Sequence, residues 1–402
     1  MSAEATSTTP PAAPKTEGGF NLGSLLQRDV GQLPIIAALV LMAIYFNFAS
    51  DGLFLSSRNL SNLVGQSSVN ATVALAAVMV LLIGEIDLSL AVVAYLCGAV
   101  TVTLSVYHGF SAVAAIAAGL AAGALIGLIN GAIIALLRVP SFIVTLAASL
   151  GYTGLLQHLL LPQTTIRLVD PGITGIAADY LPDWLGAALP IVGVVAYAGY
   201  QVYDYQRRRR LELTVVPIWQ LGLNIAVAAL LIGLALYQFQ SYLGVPIATT
   251  IVVGLILVFW IVMRFTTFGR YVYAVGGNAE AARRSGISIS RIRILIFVLA
   301  STLAGVAGIL ESSRTISAAA QIPPTLLLEA IAAAVIGGVS LFGGRGSVWG
   351  VLVGSLVIGS LINGLILQGR TSDIQFMVEG LVLLLAVVVD ALLRRRSAVV
   401  GR

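Results

Sequence analysis

Long apolar runs, each closed by charged or turn-forming residues, divide almost the whole chain from Leu33 onward. The runs at 33–49, 67–84, 88–107, 112–137 and 140–160 are, as helices, each about long enough to cross the roughly 30 Å hydrocarbon core of a bilayer. Further runs at 187–203, 214–237, 247–263, 292–311, 326–343, 347–367 and 374–393 bring the predicted total to about twelve spans. Between them, residues 54–64 (FLSSRNLSNLV) place apolar positions at helical spacing with polar intervals, which predicts a helix lying in the outer interface. Prolines, charges and turn residues between Leu161 and Trp184 predict an outer loop. Residues 1–32, rich in Ser, Thr, Pro and Ala, read as a disordered cytoplasmic tail, and 394–402, opening on Arg394, Arg395 and Arg396, as a second one. The first apolar run starts too late for a cleaved signal peptide to be expected.

The arginines order these spans. Arg138, the cluster Arg207 to Arg210, the group from Arg270 to Arg293, Arg345 and the C-terminal arginines fall at one set of span ends. Arg58, Arg167, Arg314 and Arg370 fall at the other. Cytoplasmic loops carry the excess of Arg and Lys, so both termini are expected in the cytoplasm. Composition agrees: 58% of residues are hydrophobic and 10% charged, whereas a soluble domain carries about a quarter charged residues. The fold class is therefore an all-α polytopic membrane protein. The net charge of +5 does not point to nucleic acid, because its cations sit beside span ends.

Catalytic chemistry finds little footing. Lys15 is the only lysine, so a phosphate-binding loop ending in Gly-Lys-Ser/Thr cannot form. His108 and His158 have no cysteine or carboxylate at metal-ligand spacing, and Cys97 has no intrachain partner.

The polar, basic interval 264–293 stands out, above all GRYVYAVGGNAEAARRSGI at Gly269 to Ile287. Asn278 suits an N-cap and Gly286 a C′ position, predicting a helix of about two turns between them. Glu280 lies at its positive end, Arg283 and Arg284 at its negative end, and Ala281 and Ala282 leave a smooth surface. So short a capped helix has little core to bury and suits docking to another protein; an ordinary basic loop is the plainer alternative.

In this interval Ala274, Gly276, Gly277, Asn278, Ala281, Ala282, Gly286 and Ile287 fit A-x-GGN-xx-AA-xxx-GI, and the chain also carries IDLS at Ile86 to Ser89 and SLFGGRG at Ser340 to Gly346. It thereby resembles the permeases of ATP-binding-cassette sugar importers, the ribose, xylose, arabinose and galactose branch, from about residue 54 to about residue 390. The resemblance implies a type II-like permease domain over 33–393 in the bacterial inner membrane, working as a pair of identical copies. It implies a separate ATPase subunit that binds ATP and magnesium, a periplasmic sugar-binding protein and a monosaccharide cargo. It assigns coupling to the ATPase to Gly276, Gly277, Asn278, Glu280, Ala281, Ala282, Arg283, Arg284 and Gly286. Such permeases usually have about ten spans; the extra pair at about 187–237 points to the xylose subfamily, hence D-xylose or another pentose. An ion-coupled secondary transporter, with Asp87 or Glu85 carrying the ion, is the alternative.

Polar groups at membrane depth are the candidates for the translocation path: Asp87, Asn130, Glu311, Glu329 and Asn363, with Glu379 nearby in sequence pattern. Glu85 and Asp87 are two residues apart, so the helix is expected to break there, with Asp87 capping the helix that follows. Each polar group could instead bond neighbouring helices. Leu128 to Gly131 recurs as Leu361 to Gly364, which fits an inverted repeat and equally fits coincidence in so apolar a chain. Gly119, Gly123, Gly127 and Gly131 recur every fourth residue and predict a stripe for close helix packing.

Overall fold

The computed structural model describes residues 33–213 and 215–400; the predicted tail at 1–32 lies outside them, as do residues 401 and 402. The first helices are α1 (Leu33–Ala49), α2 (Ser57–Leu82), α3 (Leu90–His108), α4 (Ala112–Leu137) and α5 (Ser141–Leu160). A strand β1 (Thr165–Arg167) and the short α6 (Pro171–Ala178) lead to a long hairpin, α7 (Asp183–Arg210) and α8 (Ile218–Gln240). Then come α9 (Ile247–Phe265), α10 (Thr267–Gly277), α11 (Ala279–Arg284), α12 (Ile289–Thr315) and β2 (Ser317–Ala319). The chain closes with α13 (Leu326–Ile336), α14 (Gly350–Leu367) and α15 (Ser372–Val400). Each of the predicted apolar runs contains a helix. Among the described residues, nine helices are long and apolar enough to cross a membrane, while α1 and α13 are shorter apolar helices.

The core is built on α2 and α12. From Ser67 to Leu82 every residue of α2 is buried, so the helix is enclosed on all sides, as a helix apolar all round should be. It packs against α12, α13 and α14, while α12 also packs along α3 and α4. The α7–α8 hairpin sits at the periphery with both helices largely exposed. In a bilayer those exposed faces meet lipid rather than water.

The predicted interfacial helix at 54–64 is not separate. Ser56 caps α2 by accepting the N–H of Asn59, and the helix runs on without a break for 26 residues, about 39 Å. The polar positions that suggested an interface find partners inside the protein instead: Ser61 with Tyr180 and Asn59 with Asn363. The predicted span at 326–343 is also corrected. Its helix stops at Ile336, where Gly337 and Gly338 turn the chain, so α13 is only about 16 Å long and covers half of the hydrocarbon. The outer loop carries β1 and α6, and β1 pairs antiparallel with β2, Ile166 opposite Ala318. At the far end, the helix of the last run continues through the predicted tail to Val400.

The glycine stripe of α4 does pack closely. Added methyl groups would overlap Thr101 at Gly119, the Ser301 carbonyl at Gly123 and the Phe297 carbonyl at Gly127. With no side chains between them, α4 and α12 bring backbone against backbone. Replacing Gly127 by Leu should therefore destabilise the protein by about 1–3 kcal/mol or more, as overpacking does, read as a lower melting temperature in detergent. Gly193→Leu, where nothing lies within 4 Å of the added Cβ, should leave the melting temperature unchanged.

Candidate functional site

A polar cavity of about 140 Å³ opens where α2, α3, α12 and α13 meet, lined by Gln66, Asn70, Tyr95, Glu311, Arg314 and Glu329 among others. A neighbouring space of about 90 Å³ shares Tyr95 and Glu311 with it. Asn70 lies midway along α2, which places the cavity near mid-depth. Glu329 is in the first turn of the half-length α13. Its carboxylate accepts from the Asn70 amide at 2.7 Å and from the Thr325 hydroxyl at 2.5 Å. Arg314 donates to both oxygens of Glu311, each at 3.0 Å. Such a bidentate pair fixes both groups while leaving other lone pairs and N–H groups free to meet a ligand. The cavity thus offers amide, carboxylate, guanidinium and phenol groups in a space below the about 300–1,000 Å³ of drug-sized pockets. An uncharged small solute with several hydroxyls suits it.

Of the residues predicted for a translocation path, Glu311 and Glu329 meet here. Asp87, Asn130 and Asn363 do not. Asp87 and Asn130 belong to a buried network in which Asp87 Oδ1 accepts from the N–H and hydroxyl of Ser89, at 2.8 and 2.6 Å. The Asn130 amide donates to Ser89 at 3.4 Å and accepts from the Tyr152 hydroxyl at 2.8 Å. Ser89, not Asp87, holds the N-cap position of α3. The broken backbone around Asp87 is satisfied by α5: Ile86 N–H donates to Ser141 and Leu88 N–H to Thr145. Asn363 exchanges reciprocal amide bonds with Asn59, at 2.8 and 3.1 Å. Glu379 lies on α15, which packs against α13, and its Oε2 is buried without a hydrogen-bond partner among the described residues. Gln66, Asn70, Tyr95 and Arg314 were missed. Gln66 falls between the predicted interfacial helix and the next apolar run, Asn70 falls inside that run, and nothing local distinguishes the others.

At the far end of α2 lies the second part of the site. Asn278 ends α10 and caps α11, its Oδ1 accepting from Ala281 N–H at 2.9 Å. Ile287 and Gly286 N–H groups return to the Ala282 and Arg283 carbonyls, with Gly286 at φ +84°, which closes α11 as a Schellman motif. Glu280 binds Arg283 at 2.8 Å and Arg284 at 3.2 Å. The hydrogen bond from Arg283 holds the Glu280 carboxyl below the usual carboxylate range. Ala282 is buried, whereas Glu280, Ala281, Arg283 and Arg284 are exposed, so α11 presents a small charged face outward. The sequence gives no warning that α10 is a helix of its own; it is short and buries only Gly269, Val272 and Val275.

Three backbone segments meet beneath α10. A Cβ on Gly276 would overlap the Leu82 carbonyl at the end of α2. Gly344, at φ +74°, donates its N–H to that same carbonyl at 2.9 Å and lies against Gly277. Tyr273 OH donates to the Gly346 carbonyl at 2.9 Å. The Gly-Gly pair of SLFGGRG therefore seats between α2 and α10. Beside this junction, Glu85 pairs with Arg293 in the second turn of α12 at 2.8 Å. Through α10 and the start of α12, α11 is thus connected to the ends of α2 and α12, two of the helices that line the cavity.

Comparisons with known proteins fit this arrangement. The family described as branched-chain amino acid transport system/permease component matches residues 59–387. The xylose transport system permease protein of Haemophilus influenzae is 37% identical over 89% of this chain and 94% of its own length. The xylose transport system permease protein of Escherichia coli K12 is 35% identical over 95% of this chain and 96% of its own. The ribose import permease protein of the same strain is 35% identical over 89% and 93%. No solved structure matches.

Gly276→Ala should pry α10 away from α2, so the Gly344 amide should exchange with deuterium about tenfold faster, roughly 1.4 kcal/mol of lost protection. Gly277→Ala, which adds a Cβ with nothing within 4 Å, should exchange as the unaltered protein does.

Proposed function

The chain belongs to the family of branched-chain amino acid transport system permease components, and from that premise we propose that it is the membrane-spanning subunit of an ATP-driven importer of D-xylose or a related pentose. It is a multi-pass membrane protein and a transport subunit rather than an enzyme. The observation that carries the sugar assignment is similarity to xylose permeases along nearly their full length. A separate ATPase subunit binds ATP and magnesium. A periplasmic sugar-binding protein delivers the cargo, and two copies of this chain form the path through the bacterial inner membrane. The grouping of arginines at one set of span ends supports placing α11 and both termini in the cytoplasm.

In this reading the cavity holds the sugar. Glu329, fixed by Asn70 and Thr325, accepts from sugar hydroxyls, while Gln66 and Arg314 donate to them. Tyr95 supplies an aromatic face. ATP-driven closure of the ATPase displaces α11, whose capped ends and Glu280 pairs make it a rigid lever. The displacement passes through the glycine junction to α2 and through Arg293–Glu85 to the break before α3. The cavity walls on α2 and α12 then shift relative to α13, opening the cavity to alternate faces.

Proteoliposomes holding this chain and its ATPase, supplied with the sugar-loaded binding protein, test the reading. Ala281→Pro should lower ATP-driven pentose uptake at least about tenfold with the chain still folded, equivalent to about 1.4 kcal/mol of lost coupling. Arg283→Glu with Arg284→Glu should do the same and raise futile ATP hydrolysis. Glu329→Gln and Asn70→Leu should lose uptake while leaving ATPase binding intact. Full uptake by Ala281→Pro, or accumulation driven by an ion gradient without the ATPase, would overturn the reading.

A further inference from the structure

The end of α9 carries a second cleft, of about 500 Å³, lined by Trp260, Met263, Arg264, Arg270, Tyr273 and the loop from Gly346 to Val348. It contains two cations and no anion. Among the described residues, neither the Arg264 nor the Arg270 guanidinium has a hydrogen bond or ion pair, and no carboxylate lines the cleft to balance them. We propose that this cleft binds the headgroup of an anionic phospholipid from the adjoining leaflet, with its phosphate between Arg264 and Arg270.

The cleft changes character with depth in the way an amphiphile requires. Its floor is Trp260 and Met263, inside the membrane-spanning helix, with Trp260 set edge-on to Phe265 at 5.4 Å and near Trp349 at 6.1 Å. Its rim is the arginine pair and Ser347, at the point where Thr266 ends α9 and starts α10. Above it, Val253, Leu257, Ile261 and Phe265 form an exposed apolar stripe at four-residue spacing on α9. An acyl chain can lie along that stripe while its headgroup enters the cleft. Tryptophan and tyrosine favour this depth, and basic pockets between spans on the cytoplasmic side are where anionic headgroups bind. A soluble partner has no route to a floor made by a membrane span, and none of the charged residues of α11 lines the cleft. Tyr273, which lines the cleft, also bonds Gly346 in the glycine junction, so an occupied cleft braces the lever. The proposal rests on the chain spanning a membrane and not on its cargo.

Lipid retention tests it without any transport assay. The full chain, extracted in mild detergent from membranes containing phosphatidylglycerol, should carry bound phosphatidylglycerol in native mass spectrometry. Arg264→Gln with Arg270→Gln should reduce that retention at least about fivefold, as should Ser347→Asp, which places a negative charge at the rim without removing a cation. In nanodiscs, phosphatidylglycerol should raise the melting temperature of the unaltered chain above that in phosphatidylcholine alone, and the double variant should lose the increment. Equal retention by both variants overturns the proposal. So does equal stabilisation by millimolar inorganic phosphate in phosphatidylcholine discs, which identifies a free-anion site. Should the double variant fail to fold, the Ser347→Asp result decides. Loss of ATPase binding by folded variants in phosphatidylcholine discs, with lipid retention unchanged, assigns the cleft to the ATPase and also overturns it.

Discussion

One carbonyl oxygen, that of Leu82, joins the segment proposed to move to the helix that carries part of the proposed binding cavity. It ends the most enclosed helix of the bundle, accepts the N–H of Gly344 and lies against Gly276. Any side chain at Gly276 would occupy the same space, so contact between these segments is backbone on backbone. Contacts of this kind transmit displacement well because no rotamer can yield between them. The short helix 279–284, too small to own a core, gains its mechanical connection from this junction. Without it the cavity and the charged face at the opposite end of α2 would be separate features.

The cavity depends on a related economy. A polar group in a bilayer needs a partner, and in this chain most partners are intramolecular. Asn59 and Asn363 satisfy each other, Asn130 is satisfied by Tyr152 and Ser89, and the broken backbone near Asp87 is satisfied by Ser141 and Thr145. These pairs bind helices together, and beside them Asp87 Oδ2 is buried without a hydrogen-bond partner among the described residues. Around Asn70, Glu311, Arg314 and Glu329 the packing instead leaves a space, because α13 covers only half the membrane and begins beside it. Interrupted helices at mid-depth are a common way for transporters to expose polar groups to a solute. The cleft at Arg264 and Arg270 is built otherwise, at a helix end, with its cations unpaired among the described residues.

Much of the architecture was legible along the chain, because hydrocarbon imposes a length and an apolarity that any reader can count. The runs, the caps of the helix at Asn278 and Gly286, and the glycine stripe at 119–131 all follow from local pattern. Reading 54–64 as an interfacial helix failed for a physical reason. Polar residues spaced along a helix look the same whether water or another helix answers them, and here Tyr180 and Asn363 answer. The span expected at 326–343 failed similarly, since an apolar run does not reveal where Gly337 and Gly338 turn it back.

The sequence by itself determined that this is a helical membrane protein with a short capped, charged helix between two spans, and its motifs placed it within a family. Only the tertiary structure decided which polar residues share a cavity. It joined Asn70 to Glu329, 259 positions apart, and parted Asp87, Asn130 and Asn363 from them. Periodicity is a property of neighbours along a helix, fixed by backbone geometry every few residues. Which helices face one another is fixed by packing over the whole bundle, and no short stretch of sequence contains that information.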